Sequence, residues 1–286
     1  MTKSIRTMKN ILIPTDFSEN AWNAIIYGTS LFKKINCTFY LIHVNPIQPY
    51  SGSETNMFVP PEILEESILK ESRKKLKSLL EKIQKLPLNM KHTFETKAMY
   101  GFFTDYVKQE VIDKNIDLII MGTKGASGIK AVSLGSNTGN IITKVPCAVL
   151  AVPENAKYSD PKEIGFPTDF LLGYDATVMK KIKELVLMHN SAIRFLYVAS
   201  KGNGLSLEQL KNREFLKDFF TDIAYSFHTL TAKKIDIAVQ HFVENCNLDM
   251  IIMVTKNLNF IERILFRPKV ERISYHLTVP FLVIHE

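Results

Sequence analysis

Cysteine is scarce in this 286-residue chain: Cys37, Cys147 and Cys246 are the only three, far apart and in no CxxC pattern. That number and spacing exclude a disulfide framework and a cysteine-based zinc site. The seven histidines (His43, His92, His189, His228, His241, His276 and His285) include no HExxH or other ligand spacing, so isolated core or surface roles account for them. A GxSxG elbow is missing, as is any Cys–His nucleophile motif. No apolar run approaches the ~18–20 residues that cross a bilayer. Residues 1–10 are basic but lack the apolar stretch of a secretory signal. The expected compartment is the cytoplasm, with no membrane partner.

Acidic residues are outnumbered, 29 against 36 Lys and Arg, which raises the question of nucleic acid. The excess is local: residues 1–150 hold 19 basic and 13 acidic side chains, the remainder 17 and 16. Much of it lies in one segment, Lys70, Arg73, Lys74, Lys75, Lys77, Lys82 and Lys85, interleaved with Ile68, Leu69, Leu76, Leu79, Leu80 and Ile83. Helical spacing puts those apolar residues on one face and the lysines on the solvated one. The segment has no aromatic residue to stack a base, so a nucleic-acid partner is not expected.

What the chain does have is an internal repeat. Ile11-Leu12-Ile13-Pro14-Thr15-Asp16-Phe17 returns as Ile164-Gly165-Phe166-Pro167-Thr168-Asp169-Phe170, 153 residues later. Asp117-Leu118-Ile119-Ile120-Met121 returns 132 residues later as Asp249-Met250-Ile251-Ile252-Met253. Val145-Pro146-Cys147-Ala148-Val149-Leu150 matches Val279-Pro280-Phe281-Leu282-Val283-Ile284. So long a period means duplicated domains, 1–153 and 162–286, with 21 residues fewer between the first and fourth strands of the second copy. Polar Glu154 to Pro161 is the expected linker.

In the first copy, strands are predicted near 9–15, 37–44, 92–98, 116–121 and 147–152, and helices near 18–34, 61–86, 102–114 and 136–144. Short apolar runs without polar alternation suit strands buried on both faces. Strands alternating with helices imply right-handed crossovers, hence an α/β fold of two open parallel five-stranded sheets with helices on both faces. Ser18 is the expected cap of the first helix, and Trp22, with Ile25 and Ile26, is expected in the core. Cys147 is expected to pack on a buried strand. Pro46 to Pro61, with Ser51-Gly52-Ser53, reads as a loop over the sheet's C-terminal edge.

Open parallel sheets bind ligands at the C-terminal ends of their strands, at the topological switch point. That singles out Pro14, Thr15 and Asp16, the region of Val44, and Met121-Gly122 onward. After the fourth strand comes Gly122-Thr123-Lys124-Gly125-Ala126-Ser127-Gly128, then Gly135-Ser136-Asn137-Thr138 opening a helix. Glycines permit φ > 0 and let backbone N–H groups close on an anion. Ser136 and Thr138 add hydroxyl donors, Lys124 a charge, and the helix start free N–H groups with partial positive charge. The pattern fits a polyphosphate cradle; a loop covering the sheet edge without a ligand is the alternative. Neither GxxxxGK[ST] nor a GxGxxG after the first strand is present, against a P-loop or an NAD fingerprint.

Gly122, two residues, Gly125, nine residues, Gly135-Ser136 resembles the nucleotide-binding signature of the universal stress protein (UspA-like) family. Ile11 to Asp16 and Val145 to Leu150 resemble its first and last strands, and the whole chain resembles two such domains in tandem. The resemblance implies a Rossmann-like, adenine nucleotide α-hydrolase-like fold and binding of ATP or another adenine nucleotide, with Mg²⁺ a candidate bridge between phosphates. Gly122, Gly125, Gly135 and Ser136 would hold phosphates with Asn137 close by, Asp16 would reach the adenosine, and backbone groups of Val44 the adenine. Asp16 could instead assist the helix cap. The resemblance also implies pairing through the last strands, an intramolecular pseudo-dimer, with further homodimerisation open.

The second copy departs from the pattern. Val254 and Asn257 replace the first two glycines, and Arg267-Pro268 fall where Gly135-Ser136 stood, so a degenerate domain without a cradle is expected. Arg263, Arg267, Lys269 and Arg272 read as a solvated helix face, and Asp169 as structural. The function expected is an ATP-binding stress-response regulator. A slow ATPase or phosphotransferase and a ligand-free interaction module are the alternatives; no arginine finger or dedicated base favours the enzyme.

Overall fold

Ile11, Leu12 and Ile13 are all fully buried, although neighbours on a strand point to opposite faces. Ile11 and Ile13 join one apolar cluster and Leu12 another. Their strand therefore lies mid-sheet with helices above and below it. The computed structural model describes residues 8–47, 61–87, 89–123, 134–171, 173–199, 204–232, 234–255, 264–265 and 278–285.

The first half runs β1 (Met8–Pro14), α1 (Glu19–Leu31), β2 (Asn36–Asn45), α2 (Pro61–Gln84), β3 (His92–Tyr100), α3 (Phe103–Asp113), β4 (Leu118–Gly122), α4 (Ser136–Lys144) and β5 (Ala148–Val152). The second runs β6 (Glu163–Pro167), α5 (Ala176–His189), β7 (Ala192–Ala199), α6 (Leu207–Phe219), β8 (Tyr225–Thr231), α7 (Ile235–Asn245), β9 (Met250–Thr255) and β10 (Phe281–His285). Helices α1, α2, α5 and α6 cover one face, through residues such as Ile25, Leu76, Ile182 and Leu216. Helices α3, α4 and α7 cover the other, through Val107, Ile141 and Val239. Ser18 caps α1, its Oγ accepting from the Ala21 amide at 3.2 Å.

The sheet corrects one expectation. Instead of two five-stranded sheets there is one of ten strands, ordered β3-β2-β1-β4-β5-β10-β9-β6-β7-β8. Pairing is parallel within each half and antiparallel at the β5–β10 seam, where Val149, Leu150 and Ala151 face Val283, Leu282 and Phe281. These side chains are buried, and a strand edge left open there would leave backbone N–H and C=O groups unpaired among them. Both apolar clusters consequently run across the seam.

The repeated aspartates act as splints. The Asp117 carboxylate accepts from the Asn10 amide (2.9 Å), and Asp249 from Lys162 (2.7 Å) and Glu163 (2.9 Å), tying β4 to β1 and β9 to β6. Both lie at the strand ends opposite the expected site. The segment 154–161 is no free linker. Asn23 Nδ2 donates to the carbonyls of Pro153 (3.1 Å) and Ala156 (2.9 Å), and Tyr158 meets Tyr27 edge-on at 5.3 Å. Asp160 accepts from Tyr158 (2.5 Å) and pairs with Lys33 (3.2 Å); the Tyr158 hydrogen bond, then Lys33, lowers its carboxyl to about 2.

Leu150→Ala at the seam should lower the unfolding free energy by about 2–5 kcal/mol in chemical denaturation, the cost of a buried leucine deletion. Burial raises the thiols of Cys37 and Cys147 to about 12, against an ordinary 9.0. A folded pKa above the unfolded one favours the protonated native form, so their stabilising contribution is whole below about pH 9 and fades as pH climbs toward 12. In mildly alkaline buffer the native protein should label at half-buried Cys246 only, with Cys37 and Cys147 reacting on unfolding, read by intact mass.

Candidate functional site

In the order β3-β2-β1-β4-β5 the strands are added outward in one direction from β1 and in the other from β4, and the C-terminal ends of these two parallel strands form the crevice where open α/β sheets bind. On the β1 side Pro14 closes the strand and Thr15, buried, donates its amide to the Ile42 carbonyl at 2.8 Å. The chain then turns sharply: Phe17 takes φ 65°, a left-handed conformation unusual for a bulky residue. Three groups hold that turn. Thr15 Oγ1 accepts from the Phe17 amide (3.0 Å), and Asp16 Oδ1 accepts from the Ser18 amide (3.1 Å) and hydroxyl (2.6 Å). His43 donates from Nδ1 to the Thr15 carbonyl (2.7 Å), since a carbonyl can only accept, and its ring lies 4.6 Å from that of Phe17.

On the β4 side Gly122 approaches α1 so closely that a Cβ would stand 2.7 Å from Asn20 Cγ. Its glycine is required by proximity, not by a positive φ. Thr123 donates to the Val152 carbonyl (3.0 Å) and its own carbonyl accepts from the Gly135 amide (2.7 Å), bringing the start of α4 back to the end of β4. Gly135 is the N-cap of α4 at φ −55°, ψ 143°, also outside the left-handed region, and among the described residues no side chain caps the helix there. Ser136 and Asn137 are exposed at its first turn. Thr138 is buried and its hydroxyl donates to the Gly122 carbonyl at 2.8 Å. Expected as a donor to the ligand, it instead spends its proton in fixing β4 to α4. Lys124 and Gly125 lie outside the described residues.

Val44 and Met121 pack into the same apolar cluster, on the α4 face of the sheet. The structure thus gathers Pro14, Thr15, Asp16, Met121, Gly122, Gly135, Ser136, Asn137 and Thr138 around the switch point, with Val44 at the end of the adjacent β2. His43 and Asn20 escaped sequence reasoning. His43 directly precedes Val44 at a strand end, which was the available signal; Asn20 had none, because its role depends on a helix meeting a strand about a hundred residues away.

The second half repeats the turn. Thr168 Oγ1 accepts from the Phe170 amide (3.0 Å), Asp169 Oδ1 from Leu171 (2.9 Å), and Phe170 takes φ 56°. The shared Thr-Asp-Phe therefore encodes a turn in both halves, whatever else Asp16 does. Val254 is buried in β9, while Arg263, Lys269 and Arg272, with Asn257, Arg267 and Pro268, lie outside the described residues, as does the glycine-bearing stretch 51–53.

With this geometry the chain belongs to the universal stress protein family, whose sequence profile matches residues 7–153. A universal stress protein of Methanocaldococcus jannaschii is 28% identical over 149 residues, covering 52% of this chain and 84% of that protein. One of Thermus aquaticus is 28% identical over 147 residues, covering 50% and 98%. Over the full length the fold matches the crystal structure of a universal stress protein from Archaeoglobus fulgidus, at TM-score 0.71 and 14% identity, covering 98% of this chain and 99% of that one. The fold match thus extends over both halves of the chain. Among the described residues, no helix is long and apolar enough to cross a membrane.

The turn makes a testable distinction at Asp16. Asp16→Asn keeps the oxygen that accepts from Ser18 and should leave stability within about 0.5 kcal/mol, whereas Asp16→Ala removes it and should cost about 1 kcal/mol in urea denaturation, as loss of a capping acceptor does.

Proposed function

We propose that the first half binds an adenine nucleotide, ATP foremost, across the C-terminal ends of β1 and β4, and that the protein is a nucleotide-responsive stress regulator. The observation that carries this is the bare start of α4. Among the described residues α4 begins at Gly135 with no side-chain acceptor, as α3 and α7 also begin without one, but only α4 starts beside the end of β4 at the switch point, where its first amides and partial positive charge face an anion's place. Family membership and the Gly122, Gly125, Gly135-Ser136 spacing support phosphate as that anion. The close packing at Gly122 and the apolar Val44 and Met121 suit a cradle with an adenine nearby.

A nucleotide's Mg²⁺ would ride on its phosphates, as magnesium commonly does. Asp16, the carboxylate a hydrolytic site would draw on, has Oδ1 engaged by Ser18, which favours binding over turnover. The second half, with Val254 in place of the first glycine, is a degenerate copy that supports the first. His285 of β10 donates from Nε2 to the Ile142 carbonyl at 2.7 Å, satisfying one of the free carbonyls in the last turn of α4.

The experiment is a thermal-shift titration with ATP and Mg²⁺. Saturation at a hundredfold the Kd should stabilise the protein by about 2.7 kcal/mol. Gly135→Val, allowed by its backbone angles, should abolish that shift while leaving the ligand-free Tm nearly unchanged. A shift retained in Gly135→Val would refute the assigned cradle, and no shift with any adenine nucleotide would leave the pseudo-dimeric scaffold as an interaction module.

A further inference from the structure

The two halves treat the same Thr-Asp-Phe turn differently. In the second, α6 clamps it: Gln209 Nε2 donates to the Asp169 carbonyl and Asn212 Nδ2 to that of Phe170, both at 2.8 Å. Tyr174 shares a 2.5 Å hydrogen bond with Thr168 Oγ1, and its ring stacks on Phe215 at 6.1 Å. Phe170 is left 2% exposed. In the first half α2 stands off from the turn, and a cleft of about 390 Å³ opens between it and the start of α1. Phe17 and Trp22 line it, both only half-buried, together with Lys74, Lys75 and Lys82 of α2 and the hydroxyl of Ser78. Trp22, expected in the core, is instead at the core's margin with a face toward these lysines.

That combination has a chemistry. The Lys82 ammonium stands 3.9 Å from the centre of the Trp22 ring and the Lys75 ammonium 6.0 Å from that of Phe17, so both ring faces are turned to the cleft. Among the described residues, three lysines line the cleft against one carboxylate, Glu71. Lys75 reaches Glu71 at 3.9 Å and Lys82 reaches Glu19 at 4.0 Å, long, exposed pairs that yield readily to a more highly charged anion. The volume falls in the range of small-molecule sites. The aromatic surfaces missing from the sequence of α2 are thus supplied by α1 and the turn before it.

We infer that this cleft is a second binding site, on the face of the sheet opposite the Val44–Met121 cluster, for a small molecule that joins an aromatic ring to a phosphate. The rings take the apolar part and the lysines the dianion. The cleft borders the nucleotide site at Thr15 but draws its charge from the lysines of α2 and not from the amides of α4.

Trp22 is the only tryptophan in the chain, so its emission reports on the cleft directly. Titration of the full chain with phenyl phosphate should quench it saturably, with phenol and inorganic phosphate each binding at least about tenfold more weakly because each supplies half the contacts. The double variant Lys75→Gln/Lys82→Gln, on the exposed side of α2, should weaken phenyl phosphate by about tenfold or more while its circular dichroism stays that of the parent. Gly135→Val should bind phenyl phosphate unchanged. The inference is overturned by absent saturation, by inorganic phosphate matching phenyl phosphate, by full affinity in the double variant, or by loss of binding in Gly135→Val, which would place the ligand in the cradle. Trp22→Phe removes the signal but should retain calorimetric binding, keeping ring stacking separate from the optical readout.

Discussion

The antiparallel pairing of β5 with β10 is the constraint on which the rest of the structure rests. Each half is a parallel sheet with an apolar last strand, and such an edge has no stable place in water: its backbone needs partners and its side chains need cover. Pairing the two last strands meets both needs at once, with Leu150 opposite Leu282 and Val149 opposite Val283. The cores become continuous across the seam. His285, at the end of β10, reaching the last turn of α4 shows how far that support extends into the first half.

From that frame the asymmetry of the two halves follows. Both keep the strained Phe after their first strand, held by the same threonine and aspartate oxygens, because the chain must turn sharply from strand to helix in either copy. They diverge in what stands over the turn. In the second half α6, 13 residues long, docks on it with two amide side chains and stacked rings. In the first half α2, 24 residues long, leaves lysines beside half-buried aromatic rings. The same turn is thus covered by α6 in the second half and borders a cleft in the first.

As proposed, the first half would offer two anion-attracting places, one at the C-terminal ends of β1 and β4 and one in the α1–α2 cleft. At the switch point the attraction comes from the backbone, from the uncapped amides of α4, and is fixed in place by Thr138 and the Thr123–Gly135 hydrogen bond. In the α1–α2 cleft it comes from flexible lysine side chains over aromatic rings. Backbone donors are preorganised and suit a defined polyphosphate. Lysine ammonium groups are strongly hydrated point charges on long stems and suit looser recognition.

The sequence by itself determined much of this protein. Uninterrupted apolar runs such as Leu118-Ile119-Ile120-Met121 marked strands buried on both faces, the repeat marked two equivalent halves, and Ser18 marked a helix start that is indeed capped by its hydroxyl. These are local signals, written by periodicity and short-range hydrogen bonding. The tertiary structure alone decided what depends on residues distant in the chain. It merged two sheets into one, because strand pairing is chosen by edges and not by propensity. It turned Thr138 inward onto Gly122, made Gly122 a matter of contact with Asn20, and set Trp22 beside lysines some sixty residues away. Such juxtapositions leave no mark in local sequence, since packing brings the partners together only after each element has formed.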